Sequence, residues 1–256
     1  MQHIYIVKQI HYMAKNMSKQ DEAKFLASKK GIIDAQLTGK VPKLKCKNPS
    51  QKEFVKLINE REIVFGAGVA GTGKTYLSVH RALELLKNKS NPYERIVISK
   101  PYIDLGRGMG FLPGDMREKM QPYMQSATDV VDKIIGKFLR EILIQNEIIE
   151  IQPLAFIRGK SFDNTILIME EAQNMTPNEM KTLLTRIGEN SKYIISGDLD
   201  QTDLNVDFSK TGLYDAFQKH KNINEIGFFT FSENDVVRNP IIMKILGNYS
   251  TIQNNL

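Results

Sequence analysis

Ten residues, Gly66 to Thr75, reading GAGVAGTGKT, restrict what this chain can fold into more than any other stretch. Positions 68 to 75 match G-x-x-x-x-G-K-T, the apolar run Ile63-Val64-Phe65 precedes them, and Tyr76 to Leu86 carries Leu77, Leu83 and Leu86 at helical spacing. The text therefore predicts strand, loop and helix in the order a phosphate-binding loop needs. Glycines at Gly68, Gly71 and Gly73 allow a turn tight enough for successive N–H groups, including those of Val69, Ala70, Thr72 and Tyr76, to converge on phosphate oxygens at a helix start. Lys74 is then expected to reach the β- and γ-phosphates and Thr75 to offer its hydroxyl to Mg²⁺.

A phosphate loop names a ligand without naming a reaction. Hydrolysis also needs a carboxylate near the metal, a group that activates water and a positive charge facing the developing negative one. Thr165 to Met169 is almost wholly apolar and reads as a buried strand that delivers Glu170 and Glu171 to its C-terminal end. Glu170 is placed for Mg²⁺ and Glu171 for the base; the bland alternative is two solvated acids ending a strand. Gln173 lies close by in sequence. Lys192 to Ser196 is a further strand, followed by Gly197-Asp198-Leu199-Asp200-Gln201, and parallel sheets bind ligands beyond the carboxyl ends of their strands. Asp198 and Gln201 are thus either site residues or turn-stabilising polar groups. Arg238 is either a phosphate clamp or a surface arginine.

The rest of the chain alternates. Gln51 to Asn59 reads as a helix with Ser50 as cap and Phe54, Leu57 and Ile58 inward, Arg95 to Ser99 as a strand, and Asp104 to Asp115 as a glycine-rich loop with Phe111 and Leu112 as buried anchors. Helical composition spans Met116 to Gly136, with an interruption near Pro122, and Phe138 to Gln145. Ile148 to Ile151 and Leu154 to Ile157 read as two short strands or one broken one. Thr176-Pro177-Asn178-Glu179 has the cap, proline and glutamate of a helix start, and the helix runs to about Ile187. Gly212 to Lys219 reads as helix, Glu225 to Phe231 as strand, and Val236 to Asn248 as a last helix. The expected class is α/β, a mostly parallel sheet with helices on both faces.

Charge is uneven. Of the net +6, residues 1–50 carry ten lysines against three acidic residues, a net of +7, so the remainder is close to neutral. That favours a polyanion near the front end, or simply a solvated basic face. The front end itself reads as a short strand or packed arm in residues 1–12 and a helix from Met13 to Lys30, with Phe25 and Leu26 able to sit on a buried stripe and Gly31 expected to end it. The lysine-rich Thr38 to Ser50 reads as linker or loop. This places a basic appendage at 1–47 and the core at 48–256. Cys46 is the single cysteine, excluding an internal disulfide or cysteine-rich metal site, and no stretch is apolar enough to span a membrane; the expectation is a cytoplasmic chain.

Five blocks then carry a resemblance: GAGVAGTGKTYLSV at 66–79, GFLPGD at 110–115, PLAFIRGKSFDNTILIMEEAQNMTP at 153–177, LLTRIGENSKYIISGDLDQTDL at 183–204 and DVVRNP at 235–240. In that order they resemble the PhoH-like family of phosphate-starvation-inducible ATPases, whose core is similar to superfamily 1 helicases. The resemblance implies a P-loop NTPase (RecA-like) fold using ATP and Mg²⁺. Lys74 and Thr75 would be the Walker A pair, Glu170 and Glu171 the Walker B positions, Gln173 part of E-A-Q, Asp198 and Gln201 part of G-D-x-x-Q, and Arg238 an arginine-finger-like residue. Gln51 matches an adenine-reading glutamine or is a helix-surface residue. The resemblance also implies a homo-oligomer, such as a hexameric ring, in which Arg158 or Arg186 would face a neighbouring nucleotide, and RNA or single-stranded DNA is the implied partner. Two departures stand out: the family usually has Asp in place of Glu170, and Arg-Pro in place of Lys100-Pro101. Other readings are an RNA helicase or ribonuclease-associated factor, a nucleotide-dependent switch and, more weakly, a kinase. Scattered His3, His11, His80 and His220 offer no nuclease cluster.

Overall fold

The computed structural model describes residues 29–102, 116–157 and 159–237. The expected arm and first helix of residues 1–28, the glycine-rich loop with Phe111 and Leu112, Arg158, and everything from Arg238 onward lie outside them. Six strands form one sheet, β1 (Ile63–Gly68), β2 (Arg95–Lys100), β3 (Ile149–Pro153), β4 (Thr165–Met169), β5 (Lys192–Gly197) and β6 (Ile226–Phe231), in the order β3-β2-β4-β5-β1-β6. Every neighbouring pair is parallel. All six C-terminal ends therefore emerge on one edge.

Helices cover both faces, and side-chain alternation sorts the strands between them. Val64, Ile96, Ile98, Ile166, Ile168 and Ile194 face one core with Phe54, Leu77, Leu83, Val131 and Leu143. That side is covered by α1 (residues 29–37), α2 (Pro49–Glu60), α3 (Lys74–Lys87), α4 (Met116–Ile135) and α5 (Lys137–Gln145). The intervening residues Ile63, Phe65, Val97, Leu167, Met169, Tyr193 and Ile195 face the other core with Met180, Leu183 and Leu213. Here α6 (Leu154–Ile157), α7 (Pro177–Leu184) and α8 (Gly212–Lys219) pack. Strands buried on both faces explain why they read as continuous apolar runs.

Several local expectations change. The cap of α2 is Asn48, not Ser50: its side chain accepts from the Gln51 N–H, and Pro49 fills the first helical position. Gly31 sits inside α1, because Ile33 and Leu37, one turn apart, bury in the core and offset the cost of about 1 kcal/mol for a helical glycine. With Val41 they belong to the same cluster as Phe54. Leu154–Ile157 is a helical turn rather than a strand, beginning where Pro153 closes β3, with Ile157 buried beneath it. Helix α4 continues through Pro122 without interruption. Helix α7 stops at Leu184, three residues early, while its Thr176–Glu179 capping box forms as expected. Val236 and Val237 are not helical.

Gly68 shows what the fold demands of the loop strand. Its φ is +130°, and an added Cβ would run into the Phe231 carbonyl of adjacent β6. Gly68→Ala combines backbone strain with overpacking and is expected to cost about 2–4 kcal/mol, measured as a lower urea midpoint at unchanged m-value.

Candidate functional site

The end of β1 turns through Val69–Thr72 into α3, whose N-cap is Gly73 in the left-handed region at φ +92°. Lys74 opens the helix. Its ammonium donates to the carbonyls of Gly68, at 2.5 Å, and Val69, at 2.9 Å, so the loop closes around its own lysine. Buried Thr72 donates its hydroxyl to the Val69 carbonyl at 3.3 Å. The outer wall of the loop is tied down twice more. Gln51, only 3% exposed, donates its amide to the Thr72 carbonyl at 2.9 Å and accepts from the Lys47 N–H at 2.7 Å. Val237 donates its N–H to the Gly71 carbonyl at 3.0 Å.

Gln51 is thus a buried strut between the segment before α2 and the loop, and not a surface glutamine. Both ends of its amide are held by backbone. Helix α2 is fastened to the chain preceding Arg238 as well, since the Asn48 amide donates to the Asp235 carbonyl at 3.3 Å. The Tyr76 ring lies 5.5 Å from that of His80, with the Lys133 ammonium 5.7 Å from its centroid, so it packs along α3.

Across the sheet edge, β4 delivers Glu170. Its N–H donates to the Ser99 carbonyl of neighbouring β2 at 2.9 Å, which fixes where the side chain leaves the sheet. The residue is 4% exposed. Burial pushes its carboxyl pKa up, while a hydrogen bond with the Thr75 side chain and the nearby Lys100 ammonium pull it back. Lys100 Nζ stands 3.9 Å from Oε2. Among the described residues Oε1 is buried without a hydrogen-bond partner, as is the Ser99 hydroxyl. A carboxylate oxygen in that condition is what a hydrated cation satisfies, so Thr75 and Glu170 fit a Mg²⁺ held by one protein carboxylate, a hydroxyl and oxygens from elsewhere. Among the described residues no cluster of three or more His, Cys, Asp or Glu offers an all-protein cage.

Glu171 is exposed and breaks from the strand with φ +53°, a left-handed value rare for a residue with a side chain. It accepts from the Gln173 amide at 2.7 Å, and Gln173 in turn accepts the Asp198 N–H at 3.1 Å. Gln173 therefore bridges the ends of β4 and β5. Asn174 makes a second bridge, exchanging bonds of 2.9 and 2.8 Å with the side chain and backbone of Asp203. Asp198 is buried and accepts from the Asp200 N–H at 3.0 Å, the turn-stabilising arrangement. Gln201 is exposed in the following loop. Arg186 lies elsewhere, lining a cavity of about 290 Å³ with Tyr102, Phe162 and Leu183 beside α7.

The structure thus gathers Gln51, Gly68–Thr75, Glu170, Glu171, Gln173 and Asp198 along one sheet edge. A family profile described as PhoH-like protein matches residues 43–250. The chain belongs to the PhoH-like family. Its relatives include the PhoH-like protein of Bacillus subtilis (strain 168), 39% identical over 235 residues that cover 91% of this chain and 72% of that one. The PhoH-like protein of Synechocystis is 33% identical across 95% of this chain and 72% of its own, and Protein PhoH of Escherichia coli K12 is 36% identical across 80% and 57%. Among solved structures, the Pyrococcus furiosus Hef helicase domain aligns with a TM-score of 0.43 and 11% identity over 73% of this chain and 38% of that one.

Within this PhoH-like chain, single-sequence reasoning missed the residues that brace the site. Asn174 and Asp203 carry no local mark, because each acts through a partner distant in sequence; for Asn48 the signal is the Asn-Pro pair that opens α2. Nor does the sequence pair Lys100 with Glu170, whereas the structure buries its ammonium against that carboxylate. The register explains this: β2 and β4 are neighbours, and Ser99 pairs with Met169, so the next residue on each strand meets the other.

Proposed function

We propose that this PhoH-like chain hydrolyses ATP with Mg²⁺ and couples hydrolysis to binding or remodelling of RNA or single-stranded DNA. The observation that carries the ATPase half is the meeting of the Lys74-Thr75 helix start with a buried Glu170, one oxygen of which has no hydrogen-bond partner among the described residues. Backbone N–H groups of the loop and the positive end of α3 would hold the β- and γ-phosphates. Lys74 would exchange the Gly68 and Val69 carbonyls for phosphate oxygens. Thr75 and Glu170 would hold the metal, which supplies charge neutralisation of the triphosphate.

Glu171 would take the proton from the attacking water. Its hydrogen bond from Gln173 sets the carboxylate's direction, and its exposure leaves it reachable by solvent. Arg238 would meet charge on the leaving phosphate, and Gln201 would sense the γ-phosphate from the β5 side. Coupling to nucleic acid rests on the lysine-rich front end of the chain, residues 1–47, as a polyanion-binding segment. In a homo-oligomer Arg158 or Arg186 would approach a neighbour's nucleotide.

Phosphate release by the purified chain, with and without Mg²⁺, RNA and single-stranded DNA, tests this reading when run beside a mass measurement in each nucleotide state. Mg²⁺-dependent release that rises with RNA or DNA is expected. Binding of Mg·ATP with no release even when nucleic acid is present would sink the enzymatic claim. Slow release indifferent to nucleic acid but tied to assembly would instead make the chain a nucleotide-dependent switch. That second reading draws on the loop's ties to Gln51 and Val237, which link its conformation to segments on either side of the core.

A further inference from the structure

Lys100 and Glu170 form an ion pair between two side chains that are 9% and 5% exposed. At 3.9 Å the ammonium is too far from Oε2 for a normal hydrogen bond. Something else must hold its head there. The Lys100 ammonium donates to the Ser126 hydroxyl at 2.5 Å and lies 5.5 Å from the centroid of the Tyr123 ring, one turn earlier on α4. Tyr123 is itself fixed, since its hydroxyl donates to the Pro101 carbonyl at 2.5 Å. Lys100 is therefore anchored on α4 and projects its charge at Glu170, which leaves the adjacent strand.

We infer that Lys100 is the positioning residue for the metal-holding carboxylate: its α4-anchored ammonium sets where the Glu170 carboxylate stands beside Thr75. The inference rests on the reading of Glu170 as the Mg²⁺ carboxylate. Two side chains spanning the gap between β2 and β4 fix the separation of their charges by their combined length. Shortening Glu170 by one methylene draws the carboxylate back by about 1.5 Å. Exchanging the compact ammonium for a guanidinium extends the reach of the base and replaces rotatable donors with a planar fork. Either change alone misplaces the carboxylate, and the two together restore the span.

The test is a double-mutant cycle on the full chain with Glu170→Asp, Lys100→Arg and the pair combined. One readout is the Mg²⁺ concentration giving half-maximal binding of a non-hydrolysable ATP analogue, with binding in EDTA as control. The other is Tm without metal or nucleotide. Each single change is expected to raise the half-saturating Mg²⁺ about 5- to 10-fold, and the double variant to return within about 3-fold of the parent. A purely structural role would lower Tm without this recovery in Mg²⁺ dependence. Multiplicative effects in the double variant overturn the inference. If the unaltered chain binds the analogue without regard to Mg²⁺, the functional reading of Glu170 fails instead. The Tm cycle then decides the pair on its own: recovery upholds the Lys100–Glu170 span and additive loss overturns it.

Discussion

Lys74→Ala is expected to lower ATP hydrolysis by at least about 10²-fold, to background in a phosphate-release assay, while the chain stays folded. Charge develops on the phosphoryl oxygens in the transition state, and removing one donor aimed at such charge typically costs about 10²–10³ in rate. The fold should tolerate the loss because the ammonium's partners, the Gly68 and Val69 carbonyls, belong to a loop whose Val69 and Ala70 reach solvent, so water can replace it. Circular dichroism and a urea midpoint close to the parent's would separate loss of chemistry from loss of structure. Hydrolysis within about 3-fold of the parent would remove Lys74 from the reaction.

Glu171→Gln should separate binding from turnover. Hydrolysis is expected to fall about 10²–10⁴-fold, the range for losing a positioned base, with the Kd for Mg·ATP within about 3-fold. Glutamine keeps the oxygen that accepts from the Gln173 amide, so the left-handed backbone at this position and the bridge to Asp198 remain. What disappears is the capacity to take a proton. Equal rates for variant and parent would move the base elsewhere, and weakened binding would make Glu171 a binding residue. The neighbouring Glu170→Asp variant differs in kind, since its defect should respond to Mg²⁺ concentration and to the length of residue 100.

Much of the fold was legible because each strand carries its own signal. Ile63-Val64-Phe65, Thr165–Met169 and Tyr193-Ile194-Ile195 are buried on both faces, and such stretches advertise themselves as apolar runs. The capping box at Thr176–Glu179 was equally plain, being a local exchange of hydrogen bonds over four residues. Errors fell where a local rule met a tertiary contact. Gly31 does not end its helix, because Ile33 and Leu37 are held by a core assembled from distant strands. Leu154–Ile157 has strand-like residues but turns helically where buried Ile157 meets the second core.

The same division runs through the candidate site. By itself the sequence determined the phosphate-loop text, the acidic pair after β4 and the family, because each is a contiguous run whose chemistry depends on spacing along the chain. Only the tertiary structure decided that Gln51 braces Thr72, that Asp198 is occupied with its own turn, and that Lys100 meets Glu170. Those contacts depend on which strands are neighbours and in what register. Strand order and register follow from the packing of two cores against one sheet, a property of the whole chain that no single stretch of it contains.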